Sequence, residues 1–334
     1  MKKKHVAGFV SILGRPNAGK STLLNALLGT KVAIVAPRPQ TTRNAIQGVL
    51  TSPGAQVIFV DTPGIHKSTT KLNKRMMDSV RASAEADVVL FLADATARPS
   101  DEDAEAVDLV KKLRAPVIAV LNKVDKVQPK QKVLDVIARY QQMHEFAAFV
   151  PVSALTGDGL DLLKQEIIGR LPEGPAMYPE DYLTDQPERF LAAELIREQV
   201  LKLTREEVPH AVAVMVDKWE DTPKLVRIAA TIFVERQGQK TIVIGAGGAM
   251  LKRIGTEARK QIEEMAGKKV FLETFEGPLD LLLYLIRRQG FSIVDIPVAD
   301  ITRQYISYIE MMSELKIELA AEYLLMAAML IEIK

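Results

Sequence analysis

The segment "GRPNAGKS" at residues 14–21 most constrains the fold of this chain. It directly follows the apolar run "HVAGFVSIL" and fits the pattern G-x-x-x-x-G-K-[ST]. Gly14 and Gly19 let the backbone turn tightly, so that successive amide N–H groups can face a phosphate. Lys20 supplies a positive charge, and the Ser21 hydroxyl can ligate Mg²⁺ at the start of a helix whose positive end points at the same phosphates. Taken alone, the segment also fits a glycine turn with an incidental lysine.

Short apolar runs recur over the first 175 residues and alternate with segments of helical character: "HVAGFVSIL", "AQVIFVD", "DVVLFLAD", "PVIAVLN" and "FAAFVPVSA". Near-continuous apolar strands covered by helices on both faces are typical of a mostly parallel sheet. Ligands of such sheets bind beyond the carboxyl ends of the strands. We therefore predict an α/β domain of the P-loop type over residues 1–172, with its motifs at the strand ends.

A second strand end and the loop before it carry candidate metal and phosphate contacts. Asp61 ends the run "AQVIFVD", where its carboxylate can reach Mg²⁺ through water. The Gly64 amide is then placed to sense a γ-phosphate. In the loop "APRPQTTRNAI", a threonine is expected to fold over Mg²⁺ when the γ-phosphate is present. Thr42 is favoured, Thr41 remains an alternative, and an ordinary polar loop is the competing interpretation.

Two later strand ends carry candidate base contacts. In "NKVD", the Asp125 carboxylate can accept two hydrogen bonds from the guanine N1–H and N2–H₂ groups. Adenine lacks this pair of donors, so the aspartate selects guanine. Asn122 can bridge to the base N7, the Lys123 stem can lie along the ring, and the backbone of Ser153 and Ala154 can contact the guanine O6. The four motifs occur in order at strand ends, and they predict binding of GTP or GDP.

The residue after Gly64 departs from a common pattern, because Ras-like enzymes place a water-orienting glutamine there. Ile65 stands in that position and cannot orient a water molecule. We predict either slow hydrolysis or assistance from another group. Asn17 could help to hold a K⁺ ion near the β- and γ-phosphates. His66 is an alternative base, although a histidine in such a loop is more often only solvated.

The segments "GRPNAGKSTLLNALLG", "PQTTRN", "DTPGIHK", "NKVD" and "PVSALTGDGLDLL" resemble the Era family of bacterial GTPases. The resemblance implies a Mg²⁺-dependent, GTP-hydrolysing switch with a hydrophobic residue in place of the catalytic glutamine. The predicted nucleotide-binding residues are Gly14, Arg15, Pro16, Asn17, Ala18, Gly19, Lys20, Ser21, Thr22, Asp61, Thr62, Pro63, Gly64, Ile65, Asn122, Lys123, Asp125, Ser153 and Ala154. The predicted switch residues are Gln40, Thr41, Thr42 and Arg43, and the predicted Mg²⁺ ligands are Ser21, Thr42 and Asp61.

Residues 189–273 are predicted to form an α+β domain of the KH type, after a proline-rich linker at 173–188. The segment "KTIVIGAGGAMLKRIGTEARKQIEEMAG" indicates a strand, a glycine turn and a helix. The turn has the G-x-x-G spacing with which KH domains clamp a nucleotide backbone. A helix-capping turn and a second nucleotide-binding turn are the competing interpretations. Residues 236–269 carry eight basic and three acidic residues, a net charge of +5 that suits phosphates.

The Era resemblance continues through this region in "PEDYLTDQPERFLAAELIRE" and "VIGAGGAMLKRIGTEARKQIEEM". It implies binding to the 3′ end of 16S rRNA during assembly of the 30S ribosomal subunit. Two departures are noted: the loop carries no basic side chain, and the last KH strand is expected to be shortened after "KVFLE". The predicted RNA-binding residues are Gly245, Ala246, Gly247, Gly248, Lys252, Arg253, Arg259 and Lys260.

Residues 274–334 read as a short all-α segment of three helices, with the loop "SIVDIPVAD" after the first and the last beginning near Ser313. The segments "FEGPLDLLLYLI" and "ELAAEYLLMAAMLIEIK" resemble the N-terminal region of the kleisin ScpA, here truncated. That resemblance implies docking on an SMC coiled coil. An alternative function is therefore an adaptor that links the GTPase to a chromosome-segregation complex, with RNA binding impaired by the fusion.

Composition limits the remaining possibilities. The 334 residues include no cysteine, which excludes disulfides and thiolate metal sites. No uninterrupted apolar stretch reaches the ~20 residues of a membrane-spanning helix. We expect a cytoplasmic protein, with peripheral contact at the inner face of the cell membrane left open.

Overall fold

A computed structural model describes residues 5–36, 46–61, 86–204, 212–275 and 298–314, together with residues 326, 328 and 329. The chain divides into two units, Met1–Gln186 and Pro187–Lys334. Each unit has its own sheet, so each is described by itself.

The described part of the first unit contains a six-stranded sheet with the order β2-β3-β1-β4-β5-β6. All neighbouring strands are parallel except β2 and β3, which confirms the predicted mostly parallel sheet. The strands are β1 (Val6–Gly14), β2 (Ile46–Ser52), β3 (Ala55–Asp61), β4 (Val88–Asp94), β5 (Val117–Asn122) and β6 (Ala148–Pro151). Strand β2 has no apolar run in the sequence, because this edge strand is only partly buried.

Helices cover both faces of this sheet and position its carboxyl ends. They are α1 (Lys20–Leu28), α2 (Asp101–Val110), α3 (Lys132–Met143) and α4 (Leu160–Ile168). One apolar core includes Leu24 of α1 and Leu163 of α4, and a second includes Val107 of α2 and Tyr140 of α3. Every residue of β5 is buried between these two layers. The polar strand ends are therefore held by a rigid, fully packed support.

The proline-rich segment predicted as a linker is attached to the first unit over residues 173–186, here called the strap. Gln56 of β3 is fully buried, and its Oε1 accepts hydrogen bonds from the amides of Met177 (2.7 Å) and Tyr178 (2.9 Å). Its Nε2 donates to the Tyr178 carbonyl at 2.9 Å. Further along, the Thr184 hydroxyl donates to the Gln47 carbonyl of β2 at 2.6 Å. The strap thus lies against the edge of the sheet rather than free in solvent.

Gln56→Leu should release the first part of the strap, because two amides and one carbonyl would lose their buried partner. We expect the free energy of unfolding to fall by about 2–4 kcal/mol, since each buried polar group left unsatisfied costs about 1–3 kcal/mol. Urea denaturation of the full chain measures this change. The matched control is Gln165→Leu at an exposed position of α4; equal stability of the two variants would contradict the prediction.

The second unit combines a three-stranded sheet with helices. Strand β8 (Leu225–Val234) lies between β7 (Val212–Asp221), to which it is antiparallel, and β9 (Lys269–Phe275), to which it is parallel. The helices are α5 (Glu188–Leu203), α6 (Gln237–Ile244) and α7 (Ala249–Ala266). Ile196 of α5, Ile228 of β8 and Ile254 of α7 share one apolar core. The domain boundary expected at residue 273 falls inside β9, which continues to Phe275.

The strand predicted for "KTIVI" is wrong, because these residues belong to the helix α6. The Gln239 side chain accepts hydrogen bonds from the amides of Glu235 (3.1 Å) and Arg236 (3.0 Å) and so caps the start of this helix. Both edges of β8 are already occupied by β7 and β9. Capping, together with burial of Val243 in the apolar core, outweighs the strand preference of the β-branched residues.

One helix of the tail is described, α8 (Val298–Glu314). Ile301, Thr302 and Tyr305 on this helix are buried. Ser313 lies within α8, so the last predicted helix does not begin there, and the first predicted tail helix lies outside the described residues. Among the helices in the described ranges, none combines the length and apolar character that a membrane span requires.

Candidate functional site

The phosphate loop at residues 14–21 has a geometry that requires its glycines. Gly14 has a φ of 152° and Gly19 a φ of 103°. A Cβ atom on Gly14 would lie 2.4 Å from the Leu92 carbonyl oxygen, and one on Gly19 would lie 2.4 Å from Nδ2 of Asn122. The loop therefore packs against the ends of β4 and β5, where no side chain fits.

Lys20, the first residue of α1, is almost fully buried. Its Nζ donates hydrogen bonds to the carbonyls of Gly14 (3.0 Å) and Arg15 (3.1 Å). The start of α1 has Gly19 as its cap and no side-chain cap hydrogen bond. The loop thus presents an ammonium group and the positive end of a helix together, as a phosphate site needs.

Asn122 joins the phosphate loop to the loop after β6. This side chain is 3% exposed, and its Nδ2 donates to the Ala18 carbonyl at 2.8 Å. Its Oδ1 accepts a hydrogen bond from the Ala154 amide at 2.9 Å. One hydrogen atom on Nδ2 is left for an acceptor such as the guanine N7.

The Asp125 carboxylate lies beside the same loops and accepts a hydrogen bond from the Ser153 hydroxyl at 2.7 Å. A recess of about 150 Å³ opens at this point. Its lining comprises Gly19, Thr22, Asn122, Lys123, Asp125, Lys126, Ala154 and Leu155. The structure therefore brings together residues from three separate predicted motifs. Leu155 is 75% exposed at the rim and was not predicted.

Asp94, which the motif analysis missed, holds two predicted site residues. Its Oδ2 accepts a hydrogen bond from Lys123 Nζ at 2.7 Å and lies 3.7 Å from Nη2 of Arg15. Lys123 Nζ also donates to the Asn17 carbonyl at 2.7 Å. Burial opposes ionisation of Asp94, but hydrogen bonds from Lys123 and Thr96 outweigh it and lower the pKa of the carboxyl. Its position at the end of "DVVLFLAD" is a signal that could have identified it.

Asp94→Asn should weaken binding of GDP about tenfold at neutral pH. The variant removes a charged acceptor from Lys123, and such a hydrogen bond contributes about 1.5 kcal/mol or more. Titration with a fluorescent GDP analogue measures the change. Asp108→Asn is the matched control, because Asp108 pairs with Lys111 on the exposed side of α2; an equal affinity of both variants would contradict the role of Asp94.

The Asp94→Asn variant should also reveal how the stability of the fold depends on pH. The folded pKa of Asp94 is below its ordinary value of 3.8, so its ion pair stabilises the fold fully above that pH. This contribution is lost as pH falls through the folded pKa. We expect the stability difference between the wild type and Asp94→Asn to shrink below about pH 4 in denaturation experiments. A stability difference that stays constant from about pH 7 to about pH 3 would show that ionisation of Asp94 does not stabilise the fold.

Arg15 is also anchored on its other side. Its Nε lies 3.5 Å from Oδ1 of Asp103, a side chain of α2 that is almost fully buried. Asp103 Oδ2 accepts hydrogen bonds from the Ser100 amide (2.9 Å) and hydroxyl (2.8 Å). Burial and the nearby Asp103 charge raise the pKa of Tyr140. Arg15 therefore fixes the phosphate loop against α2.

The switch residues Gln40, Thr41, Thr42 and Arg43 lie outside the described residues, as do Thr62, Pro63, Gly64, Ile65 and His66. Asp61 ends β3, and its backbone pairs with Ile12 of β1, two residues before the phosphate loop. The strand end expected to carry the aspartate thus lies at the same edge of the sheet as the start of the phosphate loop.

The predicted RNA-binding loop joins α6 to α7. Gly245, Gly247 and Gly248 have φ values of 71°, 57° and 78°. A Cβ on Gly245 would lie 2.7 Å from the Met250 Cβ, whereas Gly247 and Gly248 face open space. Bare backbone is therefore accessible at the start of α7, where a phosphate can approach.

The predicted cations Lys252, Arg253, Arg259 and Lys260 are all exposed on α7. Lys260 pairs with Glu257 at 2.7 Å, so part of its charge is compensated.

Comparison with known proteins assigns the parts of the chain. A family model described as "50S ribosome-binding GTPase" matches residues 9–123, and a KH domain model matches residues 207–277. GTPase Era of Geotalea uraniireducens is 51% identical over 276 residues, which cover 82% of this chain and 93% of that protein. The chain belongs to the Era family of GTPases. GTPase Era of Geobacter metallireducens is 52% identical over 272 residues, covering 80% of this chain and 91% of that protein.

Two solved Era structures agree with this Era-family fold. The first is Era in complex with MgGDPNP and nucleotides 1506–1542 of 16S ribosomal RNA, with 43% identity and a TM-score of 0.78. The match covers 81% of this chain and 92% of that chain. A point variant of Aquifex aeolicus Era bound to GDP·AlF₄⁻ has 43% identity and a TM-score of 0.77, covering 81% of this chain and 93% of that chain. A model described as "Segregation and condensation protein ScpA" matches residues 285–334, which begins later than the expected boundary at residue 274.

Proposed function

We propose that this Era-family chain is a GTP-hydrolysing switch that binds the 3′ end of 16S rRNA and assists assembly of the 30S subunit. The observation that carries the proposal is the 43% identity, over 81% of the chain, to an Era structure that holds MgGDPNP and 16S rRNA nucleotides. The nucleotide recess and the accessible G-x-x-G backbone of this chain supply a site for each ligand.

Guanine recognition follows from the recess at Asn122 and Asp125. Ser153 orients the Asp125 carboxylate, which would accept the two N–H groups of the guanine edge. The Asn122 amide, fixed at both ends, would donate its remaining hydrogen atom to N7. Adenine would leave the Asp125 carboxylate without the two donors that guanine offers. The free-energy cost of this unpaired carboxylate would exclude ATP. The Lys123 stem, held by Asp94, would cover the base.

The phosphates would occupy the loop at Lys20 and the start of α1. Mg²⁺ bound there would neutralise charge on the phosphates. Ser21 and Asp61 carry hard oxygen donors at this sheet edge, which suits an ion that is otherwise held by phosphates and water. We include Thr42 as the switch ligand on the sequence pattern alone.

Hydrolysis without a catalytic glutamine should depend on K⁺ if Asn17 helps to hold a monovalent cation. Asn17 has a φ of 61°, and its carbonyl is fixed by Lys123. We expect kcat to be several-fold higher in K⁺ than in Na⁺ at equal ionic strength, and Asn17→Ala to remove the difference. Phosphate release measures both rates; equal rates in the two salts for the wild type would refute the proposal.

RNA binding should depend on the bare backbone of the G-x-x-G loop. Ala246→Asp introduces a carboxylate beside the proposed phosphate position without changing a glycine, whereas Ala246→Ser adds a neutral polar group. We expect Ala246→Asp to weaken binding of a 16S rRNA 3′-end oligonucleotide at least about tenfold, because like charges repel at short range. Fluorescence anisotropy measures the affinity, and equal affinities of the Asp and Ser variants would contradict this placement.

We also propose, as a second candidate that rests on the sequence resemblance and the family match alone, that residues 285–334 bind an SMC coiled coil. Titration of the full chain with a purified SMC coiled coil tests it. We expect binding by the full chain and no binding by residues 1–284. Failure of the full chain to bind would remove this candidate and leave the GTPase proposal untouched.

A further inference from the structure

A cleft with a volume of about 390 Å³ lies beside the guanine recess, and four of its eleven lining residues are basic. Its charged lining residues are Arg98, Lys126, Lys132, Asp135 and Arg139, all of them exposed. Four cations and one carboxylate give the cleft a net charge of +3. None of the motifs in the sequence accounts for this cluster.

The four cations of the cleft are not neutralised by ion pairs in the part of the chain that the structure describes. Among the ion pairs within the described ranges, none involves Arg98, Lys126, Lys132 or Arg139. Asp135 is the one acidic residue in the lining. Positive groups that share one concave surface raise the local potential and attract anions.

The spacing of the cations favours an extended anion over a single phosphate. Lys132 and Arg139 are seven residues apart on α3, so they lie on the same face and about 10 Å apart along the helix axis. This separation allows two phosphates of one chain to contact them individually. Arg98 and Lys126 follow β4 and β5 and contribute the other basic side chains of the lining. A chain of phosphates could contact both pairs of cations.

The cleft also adjoins the nucleotide site, with one lining residue in common. Lys126 lines both the cleft and the guanine recess. Ala95, in the floor of the cleft, follows Asp94 directly and donates its amide to the Asn122 carbonyl at 2.9 Å. A ligand in the cleft would therefore contact the same strand ends that hold the guanine-binding residues.

We propose that this cleft binds the phosphodiester backbone of RNA and is a second RNA contact, separate from the G-x-x-G loop. This inference rests on the proposed rRNA-binding function and adds a site on the GTPase unit. Binding at a basic groove of this kind is electrostatic and tolerant of sequence. It would place RNA phosphates next to the guanine recess.

The test compares two double variants of the full chain, Lys132→Gln/Arg139→Gln in the cleft and Lys112→Gln/Arg114→Gln as the control. Lys112 and Arg114 are exposed and lie outside the cleft, so both variants lose two positive charges. The ligand is an RNA of 16S 3′-end sequence long enough to extend beyond the G-x-x-G loop, titrated at several KCl concentrations. Thermal unfolding verifies that both variants are folded.

We expect the cleft variant to bind this RNA about tenfold more weakly than the control and to show a salt slope shallower by about one to two, since each lost phosphate contact lowers the slope by about one. Equal affinities and slopes for the two double variants, with tight binding by the wild type, would overturn the cleft assignment alone. No binding by the wild type would overturn the proposed rRNA function as well. Inorganic tripolyphosphate that binds through Lys132 and Arg139, without any effect of these residues on RNA, would assign the cleft to a small polyanion and overturn the RNA proposal.

Discussion

The nucleotide site depends on the two hydrogen bonds of one buried amide, the Asn122 side chain. This group holds the Ala18 carbonyl on one side and the Ala154 amide on the other. Loops that are far apart in the chain therefore share one fixed point at the end of β5. A buried amide left without either partner would be costly, so each loop stabilises the position of the other. Gly19 permits the close approach, because any side chain there would collide with Asn122.

Asp94 gives these loops a second point of attachment. It faces both Lys123 of the base-binding motif and Arg15 of the phosphate loop. Its charge is partly buried, and hydrogen bonds from Lys123 and Thr96 outweigh the cost of that burial. Phosphate binding and base binding are consequently supported by one carboxylate. The basic cleft begins at the next residue, Ala95, which makes this strand end the meeting point of the guanine recess, the phosphate loop and the cleft.

Local signatures in the sequence predicted the parallel sheet, the nucleotide motifs and the KH-type turn. Prediction failed where the structure depends on distant partners. The "KTIVI" segment has strand preference, yet Gln239 caps it as a helix and Val243 is buried in the apolar core. The half-buried β2 lacks an apolar run. The strap was predicted as a linker because the residue that holds it, Gln56, lies 121 positions before Met177 in the sequence.

The sequence alone determined which chemical groups the protein presents: a G-x-x-x-x-G-K-S loop, a carboxylate after a buried strand and a turn of glycines. These are short motifs whose backbone needs can be read from neighbouring residues. The tertiary structure alone decided that Asp94 holds Lys123 and that four cations from α3 and two loops meet in one cleft. Such groupings arise when separate strands end at the same edge of a sheet. A local sequence pattern does not show which distant residues the fold brings together.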